Sequence, residues 1–92
     1  MEQQELRLAM LAVVVENADS VEHVNGIIHE FAPHIIGRFG LPCRERGVSL
    51  ISLAMDAPAP VISALSGKLG MLPGVSAKAV YAKTDGKKRP LV

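Results

Sequence analysis

Three histidines, His23, His29 and His34, and one cysteine, Cys43, carry the soft donor atoms of this chain. A zinc site needs three or four such ligands converging on one point. His23 and His29 stand six apart, which on a helix turns them to different sides. His34 and Cys43 fall near opposite ends of a strand and its turn. No H-x-x-x-H, H-x-H or C-x-x-C pair occurs, so no metal site is expected. Cys43 would need a base to act as a nucleophile, and His34 is the nearest in sequence; no catalytic residue is assigned.

The arginines offer more. Arg38, Arg44 and Arg46 place three guanidiniums within nine positions, the group suited to gripping a carboxylate or phosphate with two parallel hydrogen bonds. Ion pairs with Glu45, Glu16 or a neighbouring subunit would use them equally well. Asn17 and Asp19 occupy the turn after the first apolar run. Amides at a helix start can receive an anion, although Asp19 would repel one, and capping is the plainer role. Asn17, Asp19, Arg38, Arg44 and Arg46 are the candidate ligand-binding residues. Gly67-Lys-Leu-Gly lacks the spacing of a phosphate loop and sits late in a helix.

These side chains must be held by some framework, and its elements can be read along the chain. Leu6–Val15 is apolar, short and rich in valine near its end, so it reads as a strand. Asp19 with Glu22 three residues later reads as a helix start. Val21, Val24, Ile28 and Phe31 then follow at helical spacing until Pro33. Ile35–Leu41 is a second strand, Pro42 to Gly47 a hairpin connection, and Val48–Met55 a third strand. Asp56 to Pro60 reads as a turn, with Pro58 or Pro60 suited to a first helical turn. Val61 or Ile62, with Leu65, Leu69 and Leu72, marks a second helix, stopped by Gly70 and Pro73-Gly74. Val75–Ala82 alternates as a fourth strand.

The order β-α-β-β-α-β repeats at a spacing of 20 residues, Val15 to Ile35 and Met55 to Val75 (35 − 15 and 75 − 55). This predicts a ferredoxin-like α+β sandwich: a four-stranded antiparallel sheet with two helices on one face. Residues 1–83 would be one domain. Residues 84–92, with Lys87, Lys88 and Arg89, would be a basic, flexible tail.

The chain is 92 residues long and 49% hydrophobic, with a net charge of +1. A small domain has much surface for its volume, so this is a great deal of apolar side chain to hide. Both predicted central strands are apolar on both faces, yet one helical layer covers only one. The uncovered face would be an interaction surface, most simply for a second copy of the chain. Leu8, Met10, Leu11, Val13, Ile51 and Leu53 are expected at that interface, in a dimer or tetramer. The near-neutral charge implies no direct attraction to nucleic acid or to an anionic membrane. The central strands also lack the aromatics that stack on RNA bases. The longest uncharged apolar run, Leu8–Val15, is too short to span a bilayer. A lone cysteine and an N-terminus without a leader pattern suit the cytoplasm. No cofactor is identified.

The run His34-Ile-Ile-Gly-Arg-Phe-Gly-Leu-Pro-Cys-Arg-Glu-Arg-Gly-Val-Ser-Leu-Ile-Ser-Leu resembles the signature of the iron-only hydrogenase system regulator family, and Ala64-Leu-Ser-Gly-Lys-Leu-Gly-Met-Leu-Pro-Gly-Val matches its second half. The resemblance covers roughly residues 8–82. It implies an ACT-like, ferredoxin-like fold, a homo-oligomer and a regulatory role with a possible small-molecule effector. The family is similar to the C-terminal domain of nickel-responsive repressors, which bind metal through an H-x-H pair and a cysteine. Here Ile36 stands where the second histidine would be needed, which argues against nickel. The turn Glu16-Asn-Ala-Asp-Ser also departs from the Pro-Gly turn of ACT amino-acid sites. The expected function is therefore a non-catalytic, ACT-like regulatory or ligand-sensing module. The alternatives are a small acylphosphatase-like enzyme, whose G-x-V-Q-G-V-x-x-R loop is absent here, or a purely structural partner subunit.

Overall fold

Alternating burial along the first strand sets the architecture. In β1 (Leu6–Val15), Ala9, Leu11, Val13 and Val15 are buried, while Leu6, Leu8 and Met10 between them are about half exposed. A strand sends successive side chains to opposite faces, so β1 has one face in a core and one face bare. The computed structural model describes residues 5–83; the expected basic tail at 84–92 lies outside the described residues.

The other elements follow in the expected order. They are α1 (Val21–Glu30), β2 (Ile35–Cys43), β3 (Val48–Pro58), α2 (Ala59–Gly70) and β4 (Val75–Tyr81). The strands form one sheet in the order β2-β3-β1-β4, with every neighbouring pair antiparallel. This is the ferredoxin-like sandwich, with β1 and β3 central and β2 and β4 at the edges. The core lies between the sheet and the helices. Leu11, Val13, Leu53 and Met55 meet Val24 and Ile28 of α1 and Ile62, Leu65 and Leu69 of α2 there. Ile62, Leu65 and Leu69 are spaced three and four apart, so they form one stripe on α2 and all three are fully buried.

This pleat corrects part of the expected interface. Leu11, Val13 and Leu53 are at most 1% exposed and Ile51 packs against the same core. All four face the helices, because they pair or alternate with one another across the β1–β3 ladder (Leu11 with Leu53, Val13 with Ile51). Only Leu8 and Met10 of the expected set stand on the bare face.

Several boundaries also move. β3 runs three residues past Met55, and Asp56, Ala57 and Pro58 pair with Leu8, Arg7 and Leu6. Ala57 continues the buried series of Leu53 and Met55, so burial outweighs the turn signal of the prolines around it. Pro60 does lie in the first turn of α2. β2 extends to Cys43, with Pro42 opposite Ser49, a position an edge strand tolerates. The first helix is preceded by a short 3-10 turn, Ala18–Ser20, capped by Asn17 rather than Asp19. The Asn17 side-chain oxygen accepts from the Asp19 amide at 2.9 Å.

Two connections at one end of the sheet are locked together. The Glu16 amide donates to the Gly74 carbonyl at 2.7 Å. The buried Ser20 hydroxyl donates to the Pro73 carbonyl at 2.7 Å. These bonds tie the start of α1 to the entry of β4, 53 residues away in sequence. Ser20→Ala leaves that carbonyl without its donor, so it should lower unfolding free energy by about 1–2 kcal/mol. Urea denaturation checks this; an unchanged midpoint would show that water replaces the hydroxyl.

Candidate functional site

The bare face of the sheet is the largest feature the helices leave unused. Its residues follow from the register. The register puts Leu6, Leu8 and Met10 of β1, Leu50 of β3, Phe39 and Leu41 of β2 and Val80 of β4 on this face, with Ile36 at its edge; Asp56 and Lys78 share it, opposite Leu8 and Ala12. Each of the eight large apolar side chains is between 38% and 68% exposed. Among the described residues, the one other exposed large apolar side chain is Met71, at the end of α2. With ~150 Å² per large side chain and about half of each bare, the face presents on the order of 600 Å² of apolar surface. That is at the upper limit of what a monomer leaves bare, and it approaches the ~800 Å² per partner of a standard protein interface.

The face is shaped as well as apolar. A β-bulge between Ile35 and Gly37 pushes Ile36 out of the ladder. Ile36, Leu8, Met10, Ala54 and Val80 then line a depression of about 330 Å³. Leu6, Ile36, Phe39, Leu41, Leu50 and Val80 were not among the residues expected at the interface. The alternation of β2 could have revealed Phe39 and Leu41, but a bulge shifts the phase by one residue and leaves no mark in the residue pattern.

The five candidate ligand residues are not brought together. Arg38 lies opposite Leu53 in mid-strand and donates through Nη2 to the Asn25 Oδ1 of α1 at 2.8 Å. Arg44 and Arg46 are exposed in a 3-10 turn beyond Cys43. Six residue steps of extended backbone separate Arg44 from Arg38, roughly 20 Å. Asn17 and Asp19 share the turn's end of the sheet, since Val15 pairs with Ser49. They lie beyond β1, however, with β3 between them and β2. Asn17 is occupied by its own turn. It caps the 3-10 segment, and Gly74 packs against its backbone.

Among the described residues no group of three histidine, cysteine, aspartate or glutamate side chains could hold a metal ion. His23 and His29 are exposed on α1, His34 lies in the turn before β2, and Cys43 is half-buried at the hairpin. Lys68, from the glycine-flanked segment of α2, approaches Glu30 at 3.6 Å and the Phe31 ring at 5.6 Å. It stitches the two helices at their surface, where an ion pair contributes little. No helix of the described residues is long and apolar enough to cross a membrane.

Beside Arg38 the helix layer leaves a second hollow. α1 lies over the sheet, and the helix-side positions of β2 are Arg38, Gly40 and Pro42, opposite Leu53, Ile51 and Ser49. Gly40 offers no side chain toward α1, so a groove of about 240 Å³ runs between Val21, Val24 and Asn25 on one side and Gly40 and Ile51 on the other.

Comparison with known proteins agrees with this geometry. The structure of uncharacterized protein TM1266 from Thermotoga maritima superposes with a TM-score of 0.82 at 38% identity, over 86% of this chain and 100% of that one. The solution structure of the C-terminal domain of the MgtC protein from Mycobacterium tuberculosis gives a TM-score of 0.66 at 12% identity, over 97% of this chain and 100% of that one, and shares the fold alone. No curated protein matches the chain. The sequence profile of the TM1266-like family, described as "Iron-only hydrogenase system regulator, putative", matches residues 7–79. With that match over most of its length, and a TM1266 structure alike in fold and more than a third identical in sequence, this chain belongs to the TM1266-like family.

Proposed function

We propose that this protein is a non-catalytic regulatory subunit that works as a homo-oligomer in the cytoplasm, with a second copy covering the bare face of its sheet. The observation that carries the reading is the set of eight large apolar side chains, from all four strands, on one face that no helix covers. Water contact with such a face is costly, at about 25 cal/mol per Å². A second copy offers the same face with the same area, and a two-fold axis makes the contact self-complementary. The family description supports a regulatory rather than a catalytic role. The lone thiol suits a reducing compartment.

Sedimentation velocity at micromolar concentration tests the proposal. A dimer or tetramer is expected, and native mass spectrometry of the same sample gives the subunit number. A monomer at tens of micromolar would overturn it.

A further inference from the structure

We propose that the groove between α1 and β2 is a binding site for a small aliphatic carboxylate, held by Arg38. The inference rests on the regulatory reading and supplies its effector class.

The walls of the groove are apolar. Val21 and Val24 come from α1, and Ile51 from β3 forms the floor. Gly40 leaves the β2 side open, since a Cβ built there meets nothing within 4 Å. The polar side chains that line it are Arg38, Asn25 and Ser49. Arg38 enters from β2, with Asn25 opposite it on α1. Among the described residues no acidic side chain lines the groove, and the one ion pair is Lys68 with Glu30, elsewhere on the surface. Among the described residues, then, the exposed Arg38 has no carboxylate partner. One of its nitrogens is placed by Asn25 at 2.8 Å, and a guanidinium carries five N–H donors. The remaining donors can take a carboxylate with charge-assisted hydrogen bonds.

The groove, about 240 Å³, is open to solvent along part of its length, so it sets no upper limit on the ligand's size, and its apolar walls favour a short aliphatic chain over a bare anion. A phosphate or other wholly polar anion would leave the valine and isoleucine walls wet. A wholly apolar ligand would leave Arg38 unused. An acid with an aliphatic tail satisfies both.

The test uses 4-methylpentanoate and its neutral analogue 4-methylpentanamide, titrated into the full chain and followed by amide chemical shifts. The acid is expected to shift Val24, Gly40 and Ile51 in a saturable manner, and the amide to bind at least about tenfold more weakly. Arg38→Gln should weaken the acid by at least about tenfold and leave the amide unchanged. Gly40→Val fills the groove from an edge position with free space around it, and should abolish binding of both while the protein still melts cooperatively. Equal binding of acid and amide would overturn the proposal, as would binding that survives both substitutions or no saturable shift up to millimolar acid. Sedimentation of the same samples separates this inference from the oligomer. An assembly that binds no acid removes the site and leaves the interface; a monomer that binds the acid through Arg38 does the reverse.

Discussion

Met10→Glu is expected to convert the protein to a folded monomer. Met10 sits in central β1, flanked by Ala54 of β3 and Val80 of β4, and is 48% exposed. In one subunit a glutamate there keeps its hydration, so the fold should lose no more than about 1 kcal/mol, the span of strand propensities. In the assembly the carboxylate would lie against a face whose one cation among the described residues, Lys78, stands diagonal to it and whose other charged group is the acidic Asp56. An unpaired charge in such a place costs about 3 kcal/mol or more, and a two-fold contact incurs it twice. The sum of about 6 kcal/mol weakens association by roughly four orders of magnitude. Sedimentation velocity reads the loss, and circular dichroism shows that the strands remain. A variant that stays assembled would mean that copies meet through another surface. Leu11 makes a useful contrast. It is fully buried under the helices, so Leu11→Ala should cost about 2–5 kcal/mol of folding stability through the cavity it leaves.

Gly74→Val is expected to have the larger effect on folding. Gly74 has φ of 68°, in the left-handed region that only glycine enters without penalty. A Cβ at that position would stand 2.7 Å from the Cβ of Asn17 and 3.0 Å from its amide nitrogen. Both contacts are with the first turn, which is itself bonded to residues 73 and 74 through Ser20 and Glu16. The turn cannot retreat without breaking those bonds. Backbone strain of about 1–3 kcal/mol adds to the clash, and β-branching makes valine worse than alanine. A loss of about 4 kcal/mol or more is expected, a large share of the 5–15 kcal/mol that holds a domain together. The thermal midpoint should fall by well over 10 °C. By comparison Gly47→Ala, also at positive φ but with open space around it, should cost about 1 kcal/mol. If the two variants melt together, the contact with Asn17 yields and the account of the lock is wrong.

The regulatory role and the aliphatic acid depend on different residues, and this makes them separable. Met10 lies on the bare face, and Arg38 on the helix side at the edge. Met10→Glu should therefore leave acid binding within about twofold, and Arg38→Gln should leave the assembly intact, because neither side chain belongs to the other site and Leu41 and Leu50, which border both, are unchanged in each variant.

The order of elements was legible in the residue pattern because it rests on local periodicity. The short, apolar, valine-rich run Leu6–Val15 marks a strand, and the spacing of Leu65, Leu69 and Leu72 marks a helix. The repeat of strand, helix and strand then leaves few right-handed topologies. The apolar surplus on both faces of the central strands was legible for the same reason, since composition alone exceeds what one helical layer covers. Which face the helices take was not. In β1 both faces are apolar, so alternation identifies two sides without ranking them, and Leu11 and Val13 look much like Leu8 and Met10. Only the pairing of Leu11 with Leu53, beneath Val24 and Leu65, decides which set is core. The arginines show the same limit. Arg38, Arg44 and Arg46 are close in number, but an extended strand carries Arg38 roughly 20 Å from the turn that holds the other two. The tertiary structure gives Arg38 a different neighbour, Asn25, from across the groove. Local spacing specifies elements because it depends on backbone geometry that every chain shares. Sites and faces depend on contacts between distant residues, and those exist only once the elements have packed.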